Sequence, residues 1–389
     1  MNDTIKKLTI EGFKSIRKLE DFDLGPLNVL IGANGAGKSN FVGFFRLLKE
    51  LVEQRLQIAL QTTEGGADGC LFMGPKVTPF LDATLYFGES GYGFTLAPTV
   101  DNRLVFTEEF SLFKGRNGPG QARFATGQLE AQIKDKGQID SNGVFTGPPN
   151  RVYKTISSWV AYHFHDTSVT AGVRRQMPIN DNEVLRPDGE NLAAFLYRIR
   201  TTDNASYRQI RDAVRIAAPF FDDFSLRTVP TNQNLIQLEW RQYNSDRLFQ
   251  AHQLSDGTLR FICLATALLQ PEPPPTSLFD EPELGLHPYA LTLLGNLFKQ
   301  ATTPVSGASA RQIIAATQSA ALLNEFDPED VVVVERNKGA STFRRLQSVE
   351  LSEWLKEYSL GDLWQKNVFG GRPANENTTQ PAPNGATHS

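Results

Sequence analysis

The chain has 389 residues, 40% hydrophobic and 21% charged, a globular balance that excludes wholesale disorder. With 39 Lys/Arg against 43 Asp/Glu its formal net charge is −4, which excludes a generally cationic, DNA-coating protein; nucleic acid would bind only through a local patch. Two cysteines, Cys70 and Cys263, are too few for a disulfide framework or a cysteine zinc cluster and point to a reducing, cytoplasmic setting, and no apolar run is long enough to span a bilayer.

Residues 5–13 (IKKLTIEGF) alternate like a half-buried strand, charged and unlike a signal peptide, and 27–31 (LNVLI) reads as a buried strand. After a glycine-rich turn, Phe41, Phe44, Phe45, Leu48, Leu51, Val52 and Leu56 fall at helical spacing and predict a helix over 40–60, closed by Gly65, Gly66 and Gly69. Residues 80–110 predict strands with turns, and 114–150, rich in Gly, Gln, Asn and Pro, a loop or thin meander. The helical period returns at Leu192, Phe195, Leu196 and Ile199, with a second helix over 206–217. Two or three antiparallel strands are expected in 224–250, turned at 231–234. Helices at 258–269, 289–300 and 319–325 interleave with strands at 276–279, 311–316 and 330–335, a βα alternation that predicts a largely parallel core sheet. The Asn/Thr/Pro/Gly-rich stretch 370–389 predicts a disordered tail.

Gly32, Ala33, Asn34, Gly35, Ala36, Gly37, Lys38 and Ser39 fit the GxxxxGK[ST] pattern between a buried strand and an amphipathic helix. Glycines let successive backbone N–H groups curl around phosphate oxygens, and the helix N-terminus adds partial positive charge. Lys38 would reach the β- and γ-phosphates of ATP, and the Ser39 hydroxyl would ligate Mg²⁺. Such a cradle needs an acid at the end of a neighbouring strand. Asp280 is the candidate for the Mg²⁺ shell, and Glu281, one residue on, for polarising the attacking water. Upstream, Ser255, Asp256 and Gly257 open a helix; the pattern is either an anion site of hydroxyl and free N–H groups or a simple N-cap, and its place before the acidic strand favours the former.

The order GANGAGKS, LSDGTLR, LFDEPELGLHP resembles the ABC-type ATPase fold. The opening TIEGFKSI, the ATQS at 316–319 and the late GDLWQKNVFGGRP are similar to the RecF, SMC and OLD branch, above all its short stand-alone bacterial AAA-family ATP-binding proteins. The resemblance implies an α/β ABC-type P-loop head, with a mixed, largely parallel core sheet, additional antiparallel strands and a small helical lid. Its parts would be an N-terminal lobe at 1–165, the lid at 166–222, a C-terminal lobe at 223–369 and the tail. It implies that Ser255, Asp256 and Gly257 form a signature contacting the γ-phosphate held by a second copy, in a head-to-tail homodimer formed on ATP. Gln318 stands where ABC ATPases often carry a switch histidine. The glutamine loop is not evident; 162–168 is its expected place, with His165 or Asp166 as substitutes.

His163, His165 and Asp166 fit a polar strand end better than a metal site, because no second cluster supplies ligands. Arg208, Arg211 and Arg215 share one helix face in a stretch (151–215) with ten Lys/Arg and seven Asp/Glu; a salt-bridged face is favoured over a nucleic-acid lobe. No second enzyme domain is evident. The function implied is Mg²⁺-dependent ATP hydrolysis in DNA repair or anti-phage defence, with DNA as partner; the alternative is a slow ATP switch that controls an effector protein from an adjacent gene. A transporter subunit fits poorly, because the 217 positions separating Lys38 from Ser255 are too many.

Overall fold

The computed structural model describes residues 4–115, 118–136, 138–139, 145–304 and 311–372. The expected tail, from 373 onward, and parts of the 114–150 stretch lie outside the described residues. Strand β1 (Lys7–Phe13) buries Leu8 and Ile10 and turns into β2 (Ile16–Asp23), its antiparallel partner. Strand β2 is not evident in the sequence because charged residues fill it and only Ile16 and Leu19 are buried. Strand β3 (Leu27–Ile31) is buried throughout and feeds the glycine turn and helix α1 (Lys38–Val52).

Helix α1 is shorter than its apolar period predicts. The chain breaks at Gln54 (φ 62°) and restarts as a short helix, Leu56–Ala59, with a π-helical turn at Leu60–Glu64. The cause is tertiary. The Glu130 carboxylate accepts from the backbone N–H of Leu56 (2.8 Å) and Gln57 (3.1 Å), capping a new helix start from 74 residues away.

A meander follows: β4 (Leu81–Phe87), β5 (Ser90–Pro98), β6 (Leu104–Gly115) and β7 (Gly118–Arg123). It joins the first hairpin in an antiparallel sheet of order β2-β1-β4-β5-β6-β7. Helix α2 (Pro148–Ser157) leads to β8 (Val160–Tyr162). Helices α3 (Leu192–Thr202) and α4 (Asn204–Ala217), from the expected insertion, bury Leu192, Leu196, Ile210 and Val214 in one core with Leu259 and Ile262 of α5 (Asp256–Leu269). Where two or three strands are expected at 224–250, five short ones between Phe221 and Gln250 join Met177–Pro178 in two small three-stranded sheets.

The second half supplies β9 (Thr276–Asp280), α6 (Pro288–Thr302), β10 (Gln312–Thr317), β11 (Val331–Asn337) and β12 (Ala340–Arg345). The core sheet has the order β8-β9-β10-β3-β11-β12, parallel except for β12. Successive side chains serve opposite faces. Val29, Ile31, Ile313 and Val333 face the helices α3–α6, while Leu30, Ile314 and Val332 face α1 and the antiparallel sheet. Register then sets the site: Asp280 pairs with Ala316, and Ala316 with Leu30, so the ends of β9, β10 and β3 lie side by side. Such a carboxyl edge is where open α/β sheets bind ligands.

One buried carboxylate fastens the antiparallel sheet. Glu109, 2% exposed, accepts from the Tyr92 hydroxyl (2.9 Å) and from the N–H groups of Gln132 (2.9 Å) and Ile133 (3.1 Å). Burial holds its carboxyl above the usual range, against the pull of those donors. Glu109→Ala should cost about 3 kcal/mol in urea unfolding, because buried donors lose their acceptor. The fold binds this proton more tightly than the unfolded chain does. Its contribution to stability is therefore complete below the ordinary carboxylate range and is lost as pH rises through the raised value. Glu109→Gln should remove that part of the stability–pH curve.

Candidate functional site

The glycine turn is shaped by contacts that leave no room for side chains. A Cβ on Gly32 would lie 2.2 Å from the Val334 carbonyl oxygen; one on Gly37 (φ 113°) would lie 2.0 Å from Ser341 Oγ. Ser341 Oγ donates to the Ala36 carbonyl (2.6 Å) and sits 2.7 Å from Ser15 Oγ, which accepts from Asn40 Nδ2 (2.7 Å). Arg336 reaches the Gly35 carbonyl at 3.2 Å. The loop is thus pinned by the β1–β2 turn and the β11–β12 hairpin. Ser341 and Arg336 carry no sequence signal, since they reach the turn from more than 300 positions away.

Lys38, 5% exposed, donates to the carbonyls of Gly32 (2.7 Å) and Ala33 (2.9 Å). Burial lowers its pKa, while Glu281, Glu283 and Asp280 push it back up. Ser39 Oγ donates to Asp280 Oδ1 at 3.2 Å. Burial raises the Asp280 carboxyl; Arg46, the Ser39 hydrogen bond and His165 oppose it, and Glu281 adds to it. Glu281 follows at φ 46°, a conformation uncommon outside glycine and one that clusters at functional sites. Its N–H donates to the Ala316 carbonyl (2.8 Å), and its Oε1 accepts from Gln318 Nε2. Glu283 is a further acid: Oε1 accepts the Gln318 backbone N–H at 2.7 Å, and burial raises its carboxyl. Its place two residues beyond Glu281 was the available signal for it.

Lys38, Ser39, Asp280, Glu281 and Gln318 therefore converge at one sheet edge. The signature residues stand elsewhere. Ser255 caps α5, accepting from Thr258 N at 3.2 Å, and Asp256 pairs with Arg174 (2.7 Å). A Cβ on Gly257 would lie 2.1 Å from the Gly285 carbonyl oxygen. Neither Arg174 nor Arg260 was singled out from sequence.

The donor set suits a nucleotide with its cation. Lys38, the curled N–H groups and the α1 N-terminus match phosphate, and the hydroxyl and carboxylate of Ser39 and Asp280 are the hard oxygens Mg²⁺ takes alongside phosphate oxygens. A cavity of about 670 Å³ reaches Ser39 and Asp280, lined also by Asn40, Arg46 and His163 among others, a volume ordinary for small-molecule sites. Among the described residues no group of three or more His, Cys, Asp or Glu is arranged to hold a metal. Two of the three arginines on that face of α4 are salt-bridged: Arg211 pairs with Asp212 (2.9 Å) and Arg215 with Asp222 (2.8 Å). No described helix is long and apolar enough to cross a membrane.

Comparison with solved structures shows the same fold in SMC heads. A crystal structure of the SmcHead bound to the C-winged helix domain of ScpA aligns with TM-score 0.56 at 15% identity, over 90% of this chain and 99% of that one. An Smc head domain with an extended coiled coil, bound to the C-terminal domain of ScpA derived from Pyrococcus furiosus, aligns with TM-score 0.51 at 15% identity, over 91% and 98%. No curated protein matches at a significant level. A family model described as "AAA domain, putative AbiEii toxin, Type IV TA system" matches residues 27–324, most of the chain. With the P-loop, the acidic pair and the head fold in place, the chain belongs to that AAA-domain family and shares the fold of SMC heads.

Proposed function

We propose that this protein binds ATP with Mg²⁺ and hydrolyses it slowly, as a homodimer in which each signature completes the other copy's site. The observation that carries this reading is the convergence of Lys38, the Ser39–Asp280 pair and the Glu281–Gln318 pair at one sheet edge. Phosphoryl transfer to water needs positioning and charge neutralisation rather than covalent chemistry from the protein. Lys38 and the backbone N–H groups of the turn hold the phosphates. Ser39 and Asp280 hold Mg²⁺, which neutralises charge on the phosphate oxygens. Glu281 takes the proton of the attacking water. Gln318 donates to Glu281 and fixes its orientation, while Glu283 fixes the Gln318 backbone. Across the dimer, Ser255 and the N–H groups at the start of α5 offer an anion site to the partner copy's γ-phosphate.

Two biological settings follow. In the first, turnover acts on DNA in repair or anti-phage defence. In the second, the ATP-bound dimer is a slow switch for an effector protein. The bond from Gln318 to Glu281 orients the base and also occupies one of its oxygens, which slows turnover and favours the second. The toxin–antitoxin wording of the family description also supports a defence role with a protein partner.

Lys38→Ala should abolish tight binding of a fluorescent ATP analogue. Glu281→Gln should retain binding and slow steady-state hydrolysis by ~10²–10⁴, the usual loss for a positioned base; turnover at the wild-type rate would remove Glu281 from that role.

Ser255→Arg should block ATP-driven dimerisation, measured by light scattering, and leave nucleotide binding to the single chain intact. Normal dimerisation would reduce Ser255 to a helix cap.

The Gln318 amide does not titrate in the histidine range and so adds no step there to wild-type turnover. Gln318→His should raise the rate and introduce a dependence centred near ~6.5, read from roughly pH 5.5 to 8.5. Matching profiles for the two forms would place Gln318 outside the reaction.

A further inference from the structure

Arg260 lies in the first turns of α5, five residues after Ser255, and is 8% exposed. Its guanidinium spends its hydrogen bonds on main-chain carbonyls of two separate segments. Nε donates to Phe164 O (2.8 Å) and Nη2 to His165 O (3.1 Å), just beyond β8; Nη1 donates to Leu284 O, just beyond the acidic pair. Both segments are fastened to the hydrolytic acids. Strand β8 runs beside β9, with Tyr162 opposite Phe279, and the Leu284 N–H donates to the Glu281 carbonyl at 3.3 Å. Arg260 also shares with His165, Asp280 and Glu281 the wall of a crevice of about 10 Å³, the space of roughly one water.

Packing alone does not call for a cation here. Burial lowers the Arg260 pKa, which marks the cost of desolvating the charge, and an apolar side chain would fill the space without that cost. What an apolar side chain lacks is a planar fork that holds three carbonyls at fixed angles. The same junction is close in the backbone too, since Gly257 has no room for a Cβ against the Gly285 carbonyl.

We propose that Arg260 is a positioning residue that couples the signature loop to the Asp280–Glu281 acids of its own chain. A shift of residues 164–165 or 284–285 when nucleotide binds is carried through the fork to the start of α5, and so to the Ser255 face that meets the partner copy. The inference rests on the ATP-driven dimer proposed above and adds the link that makes each signature report on its own chain's site.

The test compares wild type with Arg260→Lys and Arg260→Met in binding of a fluorescent ATP analogue, steady-state ATPase and light scattering with ATP, with thermal melting as the check on folding. The expected result is analogue affinity and KM within about threefold of wild type, kcat lower by ~10–10²-fold, as for a site misplaced by about an ångström, and loss of ATP-driven dimerisation. Gly257→Ala, which forces the same backbones apart and leaves Arg260 in place, should give the same split between kcat and KM. Arg260→Lys keeps a buried cation, so the experiment stands if Arg260→Met does not fold. Wild-type kcat and dimerisation in folded variants would overturn the proposal and leave Arg260 as packing. A parallel loss of ATP-analogue affinity would also overturn it, placing Arg260 in nucleotide binding. If wild type itself neither turns over nor dimerises, the proposed function fails first, before any variant is read, and the coupling falls with it.

Discussion

The parallel pairing of β3 between β10 and β11 is the constraint on which the site depends. A strand from the first tenth of the chain completes a sheet whose neighbours lie beyond residue 310, so the fold closes only when both ends have met. Its register is held by burial on both faces. A slip of one residue would send Val29 and Ile31 toward α1 and Leu30 toward the helical side, exchanging every side chain between the two cores. The same register sets Ile31 opposite Thr317, and therefore puts the glycine turn beside Gln318 and one strand from Glu281. The elements are brought together by the strand ladders and by burial on both faces, and the buried Asn28 Nδ2 adds a bond from β3 to the Ile313 carbonyl (3.3 Å).

Once placed, the charged groups depend on one another. Lys38, Asp280 and Glu283 are all buried enough for burial to dominate their shifts, each toward its neutral form. Their neighbours oppose that shift: the carboxylates push Lys38 up, and Arg46, the Ser39 hydrogen bond and His165 pull Asp280 down. A site of this kind is costly to bury and has its charges aimed before substrate arrives, which is how electrostatic stabilisation of a transition state works best. Glu281 at positive φ adds to that cost, and its backbone bond to Ala316 holds the strained residue where the sheet ends.

What was legible in the sequence is local. The P-loop octet, the acidic pair and the α5 cap depend on residues a few positions apart, and the core strands announce themselves by apolar runs. What was hidden acts over long separations. Strand β2 carries mostly exposed charge and is a strand because β1 needs a partner. Helix α1 stops early because Glu130, in a stretch that reads as loop, caps a second start. Glu109 looks like one more charged residue of a strand, and only the fold reveals the donors it gathers. The same holds for Ser15 and Ser341 at the glycine turn, which are unremarkable serines until the two hairpins bring them within 2.7 Å of each other.

The signature loop shows the same dependence at the surface that would meet a second copy. Ser255 and Asp256 are the exposed N-cap and first residue of α5. Arg174, with 6% of its side chain exposed, pairs with Asp256 and donates to the Ala251 and Leu254 carbonyls, fixing the approach to the turn. Arg260 fixes its exit. An interface loop held in this way loses little freedom on association, so less of the contact energy is consumed in ordering it. The two arginines differ in what they hold it to. Arg174 stands on the 172–174 turn and its Nε donates to the Thr167 carbonyl (2.9 Å), whereas the bonds of Arg260 end on the segments that flank Asp280 and Glu281. Rigidity without that second attachment would present the same surface whatever the nucleotide site contained.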